Sequence, residues 1–296
     1  MSENKFNKYV LITAARNEEK YIEKTIQSVI NQSILPQEWI IVSDGSTDNT
    51  DKIVLKYKNK YDFIELVQTS GDQTRNFGSK AKAVNFGSKL LTTHDYFFIG
   101  NLDADVSFDS TYYENILMKF NQNKNLGIAG GTRYDLVNGK FHKVNCAKNS
   151  VGGPFQFFRR ECFEKIGGYT ASRFGGVDAI AEVQTRMNGW EVESFAEFAI
   201  YHYRATGTAI SNSLAARYRI GVLDYVLGYH PVFEIVRIAG RLLERPVIFG
   251  SLVILSGFIF AAIKRYKRPV NENFISYLRK EQIQRLKDRF TFTKHQ

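Results

Sequence analysis

Short runs of β-branched and aromatic residues alternate with segments of helical period over about the first two hundred residues of the chain. Alternation of this kind is typical of an α/β protein whose mostly parallel sheet is flanked by helices. A side-chain oxygen of Ser46 or Thr47 is expected to cap the second helix. The predicted strands are 9–13, 39–42, 63–67, 96–102, 126–131, 155–159 and 200–204. The predicted helices are 18–32, 46–57, 79–91, 112–120 and 178–188.

The strand pattern ends near Leu214, and helices are predicted from there on. Residues 231–245 form an amphipathic pattern that opens with Pro231 and separates Glu and Arg from Val, Ala and Leu. Residues 246–263 contain no charged side chain, and a basic run, 264–268, follows at once. A further helix is predicted over 274–290.

The composition, with 44% hydrophobic residues in a chain of 296, excludes a disordered protein. The net charge of +10 lies entirely in residues 203–296, which hold 16 basic and 6 acidic side chains, whereas residues 1–202 hold 24 of each. The two cysteines, Cys146 and Cys162, fit neither a zinc site nor a secreted disulfide framework, and no signal peptide is evident. We therefore expect the catalytic part to lie in a reducing compartment, the cytosol.

Polar clusters follow three of the predicted strands, at 15–19, 43–48 and 103–105. In an open α/β sheet, ligands bind beyond the carboxyl ends of the strands. Asp103-Ala104-Asp105 follows an apolar strand and offers carboxylates to a hard divalent cation, although Asp-x-Asp alone is also compatible with a solvated turn.

Four motifs in order, 15–19, 42–48, 76–87 and 102–105, resemble the nucleotide-binding half of family-2 glycosyltransferases with the GT-A fold. Residues 175–178, 187–190 and 202–207 are similar to that family's acceptor half, so the resemblance covers about 8–208. It implies a GT-A domain over 1–210, divided into a nucleotide-binding half, 1–105, and an acceptor half, 106–210. A helical membrane-associating tail is predicted over 211–296 from the charge and apolar pattern.

The resemblance implies a binding site for a nucleotide-diphosphate sugar. Asp44 would accept a hydrogen bond from the base, with an Asx turn or a helix cap as the alternative. Glu18 would orient Arg16 or the ribose, unless it only stabilises a helix N-terminus. Arg75 or Lys80 would contact the base or a phosphate, and Asp103 the ribose or sugar. The residues assigned to this site are Ala14, Ala15 and the backbone near Thr13, with Asn17, Glu18, Asp44, Arg75, Lys80, Asp103 and Arg204.

The resemblance also implies a Mn²⁺ or Mg²⁺ cofactor. Asp105 would bind the metal that bridges to the diphosphate, and Asp103 is a possible further ligand. His202 is an additional candidate ligand, with a buried structural histidine between Tyr201 and Tyr203 as the alternative. Arg204 would supply a second positive charge.

Asp178 is the candidate general base for an inverting transfer, which needs one base opposite the leaving group. Asp178 is also compatible with an N-cap. The family often shows Glu-Asp where this chain has Val177-Asp178, so Glu182, one helical turn later, is the alternative base. The Gln-x-x-Arg-Trp signature of processive synthases is absent downstream, which favours transfer of a single sugar.

The basic tail favours a membrane partner. Residues 246–263 would span about 27 Å as a helix, just short of a bilayer core, and both flanks are basic. This pattern favours a hairpin or an interfacial helix on an anionic membrane surface, with a buried core helix as the alternative. Nucleic acid is not expected, because the basic residues flank an apolar run instead of lining a polar groove.

The predicted enzyme acts at the cytoplasmic face of the membrane on a lipid-linked or membrane-proximal glycan acceptor. A polyprenyl-phosphate glycosyl synthase is the alternative within the same enzyme class. A non-catalytic, membrane-bound scaffold that binds nucleotide sugars is the alternative from another class.

Overall fold

The computed structural model describes residues 7–70, 77–204, 214–242 and 248–292. These residues form two compact units. The first contains the described residues up to Ala171 and those from Val177 to Arg204, and the second contains Ser172–Gly176 and the described residues from Leu214 onward. The predicted domain boundary at 210 lies outside the described residues and stays a prediction.

The first half of the first unit alternates strands and helices, which confirms the α/β pattern. Strand β1 pairs in parallel with β2 and β4, and β2 pairs in parallel with β3, so four carboxyl ends meet at one edge. The middle of β1 is fully buried, as expected for a parallel strand with covered faces. The elements are β1 Tyr9–Ala15, α1 Ile22–Ile30, β2 Glu38–Asp44, α2 Thr50–Lys58, β3 Ile64–Thr69, α3 Phe77–Lys89 and β4 Phe98–Asn101.

The second half of the unit completes a nine-stranded sheet of order β3-β2-β1-β4-β8-β6-β9-β5, with β7 paired to β6. A short 3-10 turn, Gly153–Phe155, precedes β8. The remaining elements are β5 Val106–Phe108, α4 Tyr112–Gln122, β6 Leu126–Val137, β7 Lys140–Lys143, β8 Phe157–Arg159, α5 Arg160–Ile166, α6 Val177–Met187 and β9 Glu191–His202.

The prediction of a mostly parallel sheet was wrong for this second half. Of the strand pairings among the described residues, β4–β8, β5–β9, β6–β7 and β6–β8 are antiparallel, and only β6–β9 adds to the parallel set. One physical cause is the hairpin between β6 and β7, where Asn138 and Gly139 have φ of 51° and 78°. Asn-Gly suits such a turn because both residues tolerate positive φ. The sheet is therefore mixed.

Several element boundaries differ from the expected ones. Strand β9 has 12 residues instead of a short strand from Ile200, and β5, β7 and α5 were not predicted. The expected cap of α2 at Ser46 or Thr47 was wrong, because Asn49 is the N-cap residue. The carboxylate of Asp48 instead accepts the Thr50 N–H at 3.0 Å.

The second unit is helical from Leu214 onward in its described residues, as predicted. Its helices are α7 Leu214–Val226, α8 Pro231–Ala239, α9 Phe249–Ile263 and α10 Glu272–Phe292. A Cβ atom on Gly221 would lie 1.8 Å from the Ile254 carbonyl oxygen, and one on Gly257 would lie 2.2 Å from that of Tyr218. Glycine at both positions lets α7 and α9 pack backbone against backbone.

Two charged residues of the amphipathic pattern 231–245, Glu234 and Arg237, face the interior of the second unit. Glu234 is buried, and Arg237 pairs with both Glu234 and the buried Asp224. The carboxylates of Glu234 and Asp224 are therefore paired with a cation inside the unit. Residues 243–247 lie outside the described residues. Among those that are described, no helix combines the length and the apolar character needed to cross a membrane.

Candidate active site

Two aspartates that follow β4 and a histidine at the end of β9 come together in the first unit. One ligand atom from each of Asp103, Asp105 and His202 lies within 4.8 Å of the others. Asp105 and His202 are buried, and Asp103 is partly exposed. Pairing of Val106 with His202 in the β5–β9 ladder fixes this meeting of residues far apart in sequence.

Asp135 on β6 completes the surroundings of His202 and was not among the predicted site residues. Its Oδ1 lies 3.0 Å from Nδ1 of His202 and 3.0 Å from Nε of Arg133. Nε2 of the imidazole is then turned towards Asp105, at 3.4 Å from Oδ1. A carboxylate behind a histidine in this way orients the ring for metal binding.

The pKa of His202 reflects this acidic environment. Burial lowers the pKa of the imidazole, but its hydrogen bonds to Asp105 and Asp135 outweigh burial and raise the pKa to about 9. The negative charge of Asp103 acts in the same direction. A bound divalent cation would favour the neutral imidazole, because metal ligands bind in their deprotonated form.

Arg204 connects this cluster to the loop after β1. Its Nη2 donates to Oε2 of Glu18 at 2.5 Å, and its Nε lies 3.7 Å from Oδ2 of Asp105. The Glu18 N–H in turn donates to the hydroxyl of Thr50 at 2.7 Å. The structure therefore places the predicted Glu18, Asp105 and Arg204 in one polar network.

Lys80 on α3 contacts the cluster through Asp103. Its ammonium group pairs with Asp103 and donates to the Gly153 carbonyl at 3.2 Å. The side-chain amide of Asn101 donates to the same carbonyl at 2.6 Å. The Asp103 N–H donates to the Pro154 carbonyl at 2.8 Å, so the 3-10 turn lies against the aspartate motif.

Asp44 lies at the end of β2 and lines a cleft of about 310 Å³ between β2, β3 and α3. Its Oδ1 accepts from the Thr69 hydroxyl at 3.1 Å, and its Oδ2 lies 3.9 Å from Arg16. The Asx turn considered for Asp44 is made by Asp48 with Thr50. The Asp44 carboxylate therefore lines the cleft instead of forming that turn.

The remaining residues predicted near β1 have structural contacts of their own. Asn17 has φ of 56°, and its side-chain oxygen accepts the Thr47 N–H at 2.8 Å, which ties together the loops after β1 and β2. Ala14 and Ala15 pair with β2, and Ala15 is buried. Arg75 lies outside the described residues.

Asp178 lies within the first turn of α6 instead of at its N-cap. A Cβ atom on Gly153 would lie 3.0 Å from Oδ2 of Asp178, so this carboxylate lies beside the turn that contacts Lys80. The short turn that contains Gly153 therefore lies between the candidate base, Asp178, and the aspartate motif, 103–105.

Glu182 faces the protein interior. Its Oε1 accepts the Val151 N–H at 2.7 Å and the Ser150 hydroxyl at 3.1 Å. Burial raises the pKa of this carboxyl to about 7, partly offset by the Val151 N–H. The geometry gives Glu182 a role in holding the 150–151 segment and favours Asp178 as the base.

Because the pKa of Glu182 is raised in the folded state, the free energy of unfolding is expected to fall as the pH rises from about 4.5 to about 7. In this range the folded state still binds the proton that the unfolded chain has released, so the free energy of unfolding falls with rising pH. Glu182→Gln keeps an acceptor for Val151 and removes the titration. Urea unfolding near pH 5 and pH 8 should show the wild type losing about 3 kcal/mol more than the variant.

Glu161→Gln, an exposed change on α5, is the control and should keep the wild-type pH dependence. An unchanged pH dependence in Glu182→Gln would show that Glu182 titrates normally.

A second cavity, of about 480 Å³, lies between β6, β9 and the segment 143–152. Gly152 and Phe155, on either side of Gly153, are part of its wall. Its charged lining consists of Lys119, Arg133, Lys143, Lys148, Glu193 and Glu197. The volume is in the range of small-ligand sites.

A family model described as glycosyl transferase family 2 matches residues 10–179 of this chain. The chain is also 27% identical over 177 residues to poly-beta-1,6-N-acetyl-D-glucosamine synthase from Staphylococcus epidermidis. That alignment covers 53% of this chain and 40% of the relative, so the chain spans less than half of that protein.

Two solved structures are similar in fold. TarS 1-349 from Staphylococcus aureus, in complex with UDP-GlcNAc, has a TM-score of 0.56 at 18% identity, covering 85% of this chain and 71% of that one. The mannosyltransferase PcManGT from Pyrobaculum calidifontis, in complex with GDP-Man and Mn²⁺, has a TM-score of 0.55 at 16% identity. That match covers 86% of this chain and 75% of the other. At these identities the likeness concerns the fold.

Proposed function

Since the chain belongs to glycosyl transferase family 2 and is a glycosyltransferase, we propose that it transfers a single sugar with inversion from a nucleotide-diphosphate donor to a glycan acceptor. The observation that carries this proposal is the meeting of Asp103, Asp105 and His202 at the carboxyl edge of the sheet. Ligands of open α/β sheets bind at this edge. Transfer of one sugar rests on the missing Gln-x-x-Arg-Trp signature.

The donor is proposed to lie along the ends of β1, β2 and β4. Asp44 and the 310 Å³ cleft would take the base, and Lys80 and Arg204 would face the phosphates. Both cations already pair with aspartates of the site, so they are positioned before the donor arrives. The two proteins of similar fold, whose structures are in complex with UDP-GlcNAc and GDP-Man, support a nucleotide-sugar donor.

Asp103, Asp105 and His202 fit a Mn²⁺ or Mg²⁺ ion, because carboxylate oxygens suit these hard cations and Asp135 orients the imidazole. When bound, such an ion offsets the negative charge of the departing diphosphate. The similar mannosyltransferase is in complex with Mn²⁺, which supports this cofactor.

Asp178 is proposed to take the proton from the acceptor hydroxyl as that oxygen attacks the anomeric carbon and the bond to the diphosphate breaks. The 480 Å³ cavity is proposed to admit the acceptor, because its wall includes Gly152 and Phe155 of the turn that holds Gly153, and a Cβ atom on Gly153 would lie 3.0 Å from Oδ2 of Asp178. The mixed charge of this lining suits a hydroxyl-rich glycan.

The acceptor is proposed to be lipid-linked or membrane-proximal, and the enzyme to act at the cytoplasmic face of the membrane. The support for this part comes from the second unit of the chain, which follows the net-neutral segment 1–202 and carries the charge excess. Cations near an anionic leaflet favour membrane association.

A thermal-shift screen of nucleoside diphosphates with Mn²⁺ is expected to identify the donor. A ligand that binds the native state at about 100 times its dissociation constant adds about 2.7 kcal/mol. Domains of this size gain about 2–4 °C in Tm per kcal/mol. We expect one nucleoside diphosphate to raise Tm by several degrees with Mn²⁺ and by much less with EDTA.

Asp44→Asn should reduce the shift for the preferred base, whereas Asp62→Asn, an exposed change, should not. A screen in which no nucleoside diphosphate changes Tm would contradict a nucleotide-sugar donor.

A further inference from the structure

The second unit exposes apolar side chains on and beside two neighbouring helices, α8 and α9. Phe249 and Ile263, at the two ends of α9, are 70% and 73% exposed. The helices adjoin where the Ile248 N–H donates to the Leu242 carbonyl at 2.9 Å and the Ser251 hydroxyl to the Ile238 carbonyl at 3.3 Å. We call the exposed residues the apolar surface: Val232, Ile235, Leu242, Ile248, Phe249, Leu252, Ile259, Phe260 and Ile263.

Helix α9 is apolar on all sides, but only one side is packed. Gly250, Ile254, Gly257 and Ala261 are buried, and Gly257 lies against the backbone of α7. The exposed positions 249, 252, 256, 259 and 263 follow one another at spacings of three and four and so form the opposite face. A helix that is apolar all round normally has no face in water.

Helix α8 has its polarity reversed relative to a water-facing helix. Its Glu234 is buried against Arg237, which also pairs with the buried Asp224 of α7. Val232 and Ile235 are 52% and 60% exposed. The charged groups thus face the protein and the apolar groups face outward, which is the arrangement expected where the surroundings are hydrocarbon.

Cations border the apolar surface at the end of α9. Lys264, Arg265 and Lys267 are exposed and follow Ile263 directly. Residues 203–296 carry the whole net charge of +10, and the nearby segment 264–268 contains no acid. Arg268 is turned inward and donates to the Tyr225 carbonyl at 3.3 Å.

We propose that the apolar surface inserts into one leaflet of an anionic phospholipid bilayer, with α9 lying along the membrane and Lys264, Arg265 and Lys267 at the lipid headgroups. Packing of one side of α9 on α7 leaves only its other side for lipid, which suits an interfacial helix. Anionic headgroups complement the adjoining cations.

A second copy of the chain fits this surface less well than lipid does. A two-fold interface would use the same patch on both copies, and the cationic segment 264–268, which contains no acid, would bring no acidic partner to either copy. Anionic lipid headgroups supply the opposite charge. This membrane-binding surface rests on the membrane location in the proposed function, whereas the chemistry at Asp105 and Asp178 is tested separately by sugar transfer.

Vesicle flotation of the full chain tests the proposal. We expect the wild type to float with vesicles of phosphatidylcholine and phosphatidylglycerol, and to float much less with phosphatidylcholine alone or in high salt. The double variant Phe249→Glu/Leu252→Glu should lower the partition coefficient at least about 10-fold. Both positions are exposed, so the variant should retain its fold, checked by circular dichroism.

The matched control is Leu55→Glu/Met118→Glu, which changes two similarly exposed apolar residues of the first unit and should float like the wild type. A wild type that stays unbound with both vesicle compositions would overturn the proposal. Equal flotation of the Phe249→Glu/Leu252→Glu variant would also overturn it. A wild-type dimer in lipid-free buffer that the Phe249→Glu/Leu252→Glu variant converts to a monomer would overturn the proposal as well, because a second copy would then cover the apolar surface.

Discussion

Asp178→Asn is expected to lower the rate of sugar transfer by at least about 100-fold while leaving donor binding nearly unchanged, because a positioned general base contributes about 10²–10⁴-fold. The carboxylate lies in the first turn of α6 beside Gly153, and no hydrogen bond to it is found among the described residues. Asparagine preserves its size and removes its basicity. The measurements are single-turnover transfer and the thermal shift produced by the nucleoside diphosphate.

The control is Glu161→Gln, an exposed carboxylate-to-amide change on α5 that should keep both transfer and binding. Normal turnover in Asp178→Asn would contradict its role as the base. If transfer to a polyprenyl phosphate persisted, the alternative of a polyprenyl-phosphate glycosyl synthase would replace the proposed function, since an acceptor that is already ionised needs no base.

Loss of transfer in Glu182→Gln with normal transfer in Asp178→Asn would instead assign the base to Glu182. The structure argues against this outcome, because the Glu182 carboxylate is occupied by the Val151 N–H and the Ser150 hydroxyl.

The sequence was sufficient to predict the edge of the sheet at which the candidate site lies. Strands β1, β2 and β4 end in polar residues, and parallel pairing brings those ends together, so Asp44, Asp103 and Asp105 could be selected from local pattern alone. Placing His202 beside Asp105 needed more than local pattern, because it depends on the β5–β9 pairing. The family resemblance supplied that residue.

Asp135 was missed because the strand that corresponds to β6 was expected to end at Gly131. The strand continues to Val137 and turns at Asn138-Gly139, a dipeptide typical of hairpins that would have extended the strand had it been used. Even then, no local feature distinguishes an aspartate that orients a histidine from a solvated one. That assignment requires the three-dimensional contact.

The apolar surface shows a different limit of sequence pattern. An amphipathic period in 231–239 establishes that α8 has two unlike faces, but it does not tell which of them meets the protein. The answer depends on Asp224, which lies on another helix and draws Arg237 inward. The orientation of α8 therefore depends on an ion pair with another helix, α7, which the period of α8 alone does not show.

Asp105→Asn is expected to abolish metal-dependent transfer, with a loss of at least about 100-fold, because the transition state loses the charge stabilisation of the cation. Asparagine should be tolerated structurally, since Arg204 keeps Glu18 and His202 keeps Asp135 as partners. Independent readouts are Mn²⁺ binding by electron paramagnetic resonance and the pKa of His202 by NMR without metal. That pKa should fall, because one of the two hydrogen bonds that raise it is weakened.

Asp62→Asn, an exposed aspartate change far along the chain from the site, is the control and should keep Mn²⁺ affinity and rate. Asp135→Asn should give an intermediate loss, about 10- to 100-fold in metal affinity, since it removes the group that orients His202 but no proposed ligand. Asp105→Asn with wild-type Mn²⁺ affinity would place the cation elsewhere. The order of effects, Asp105 above Asp135 above Asp62, is what separates a metal centre from a merely acidic surface, because general loss of negative charge would affect all three variants alike.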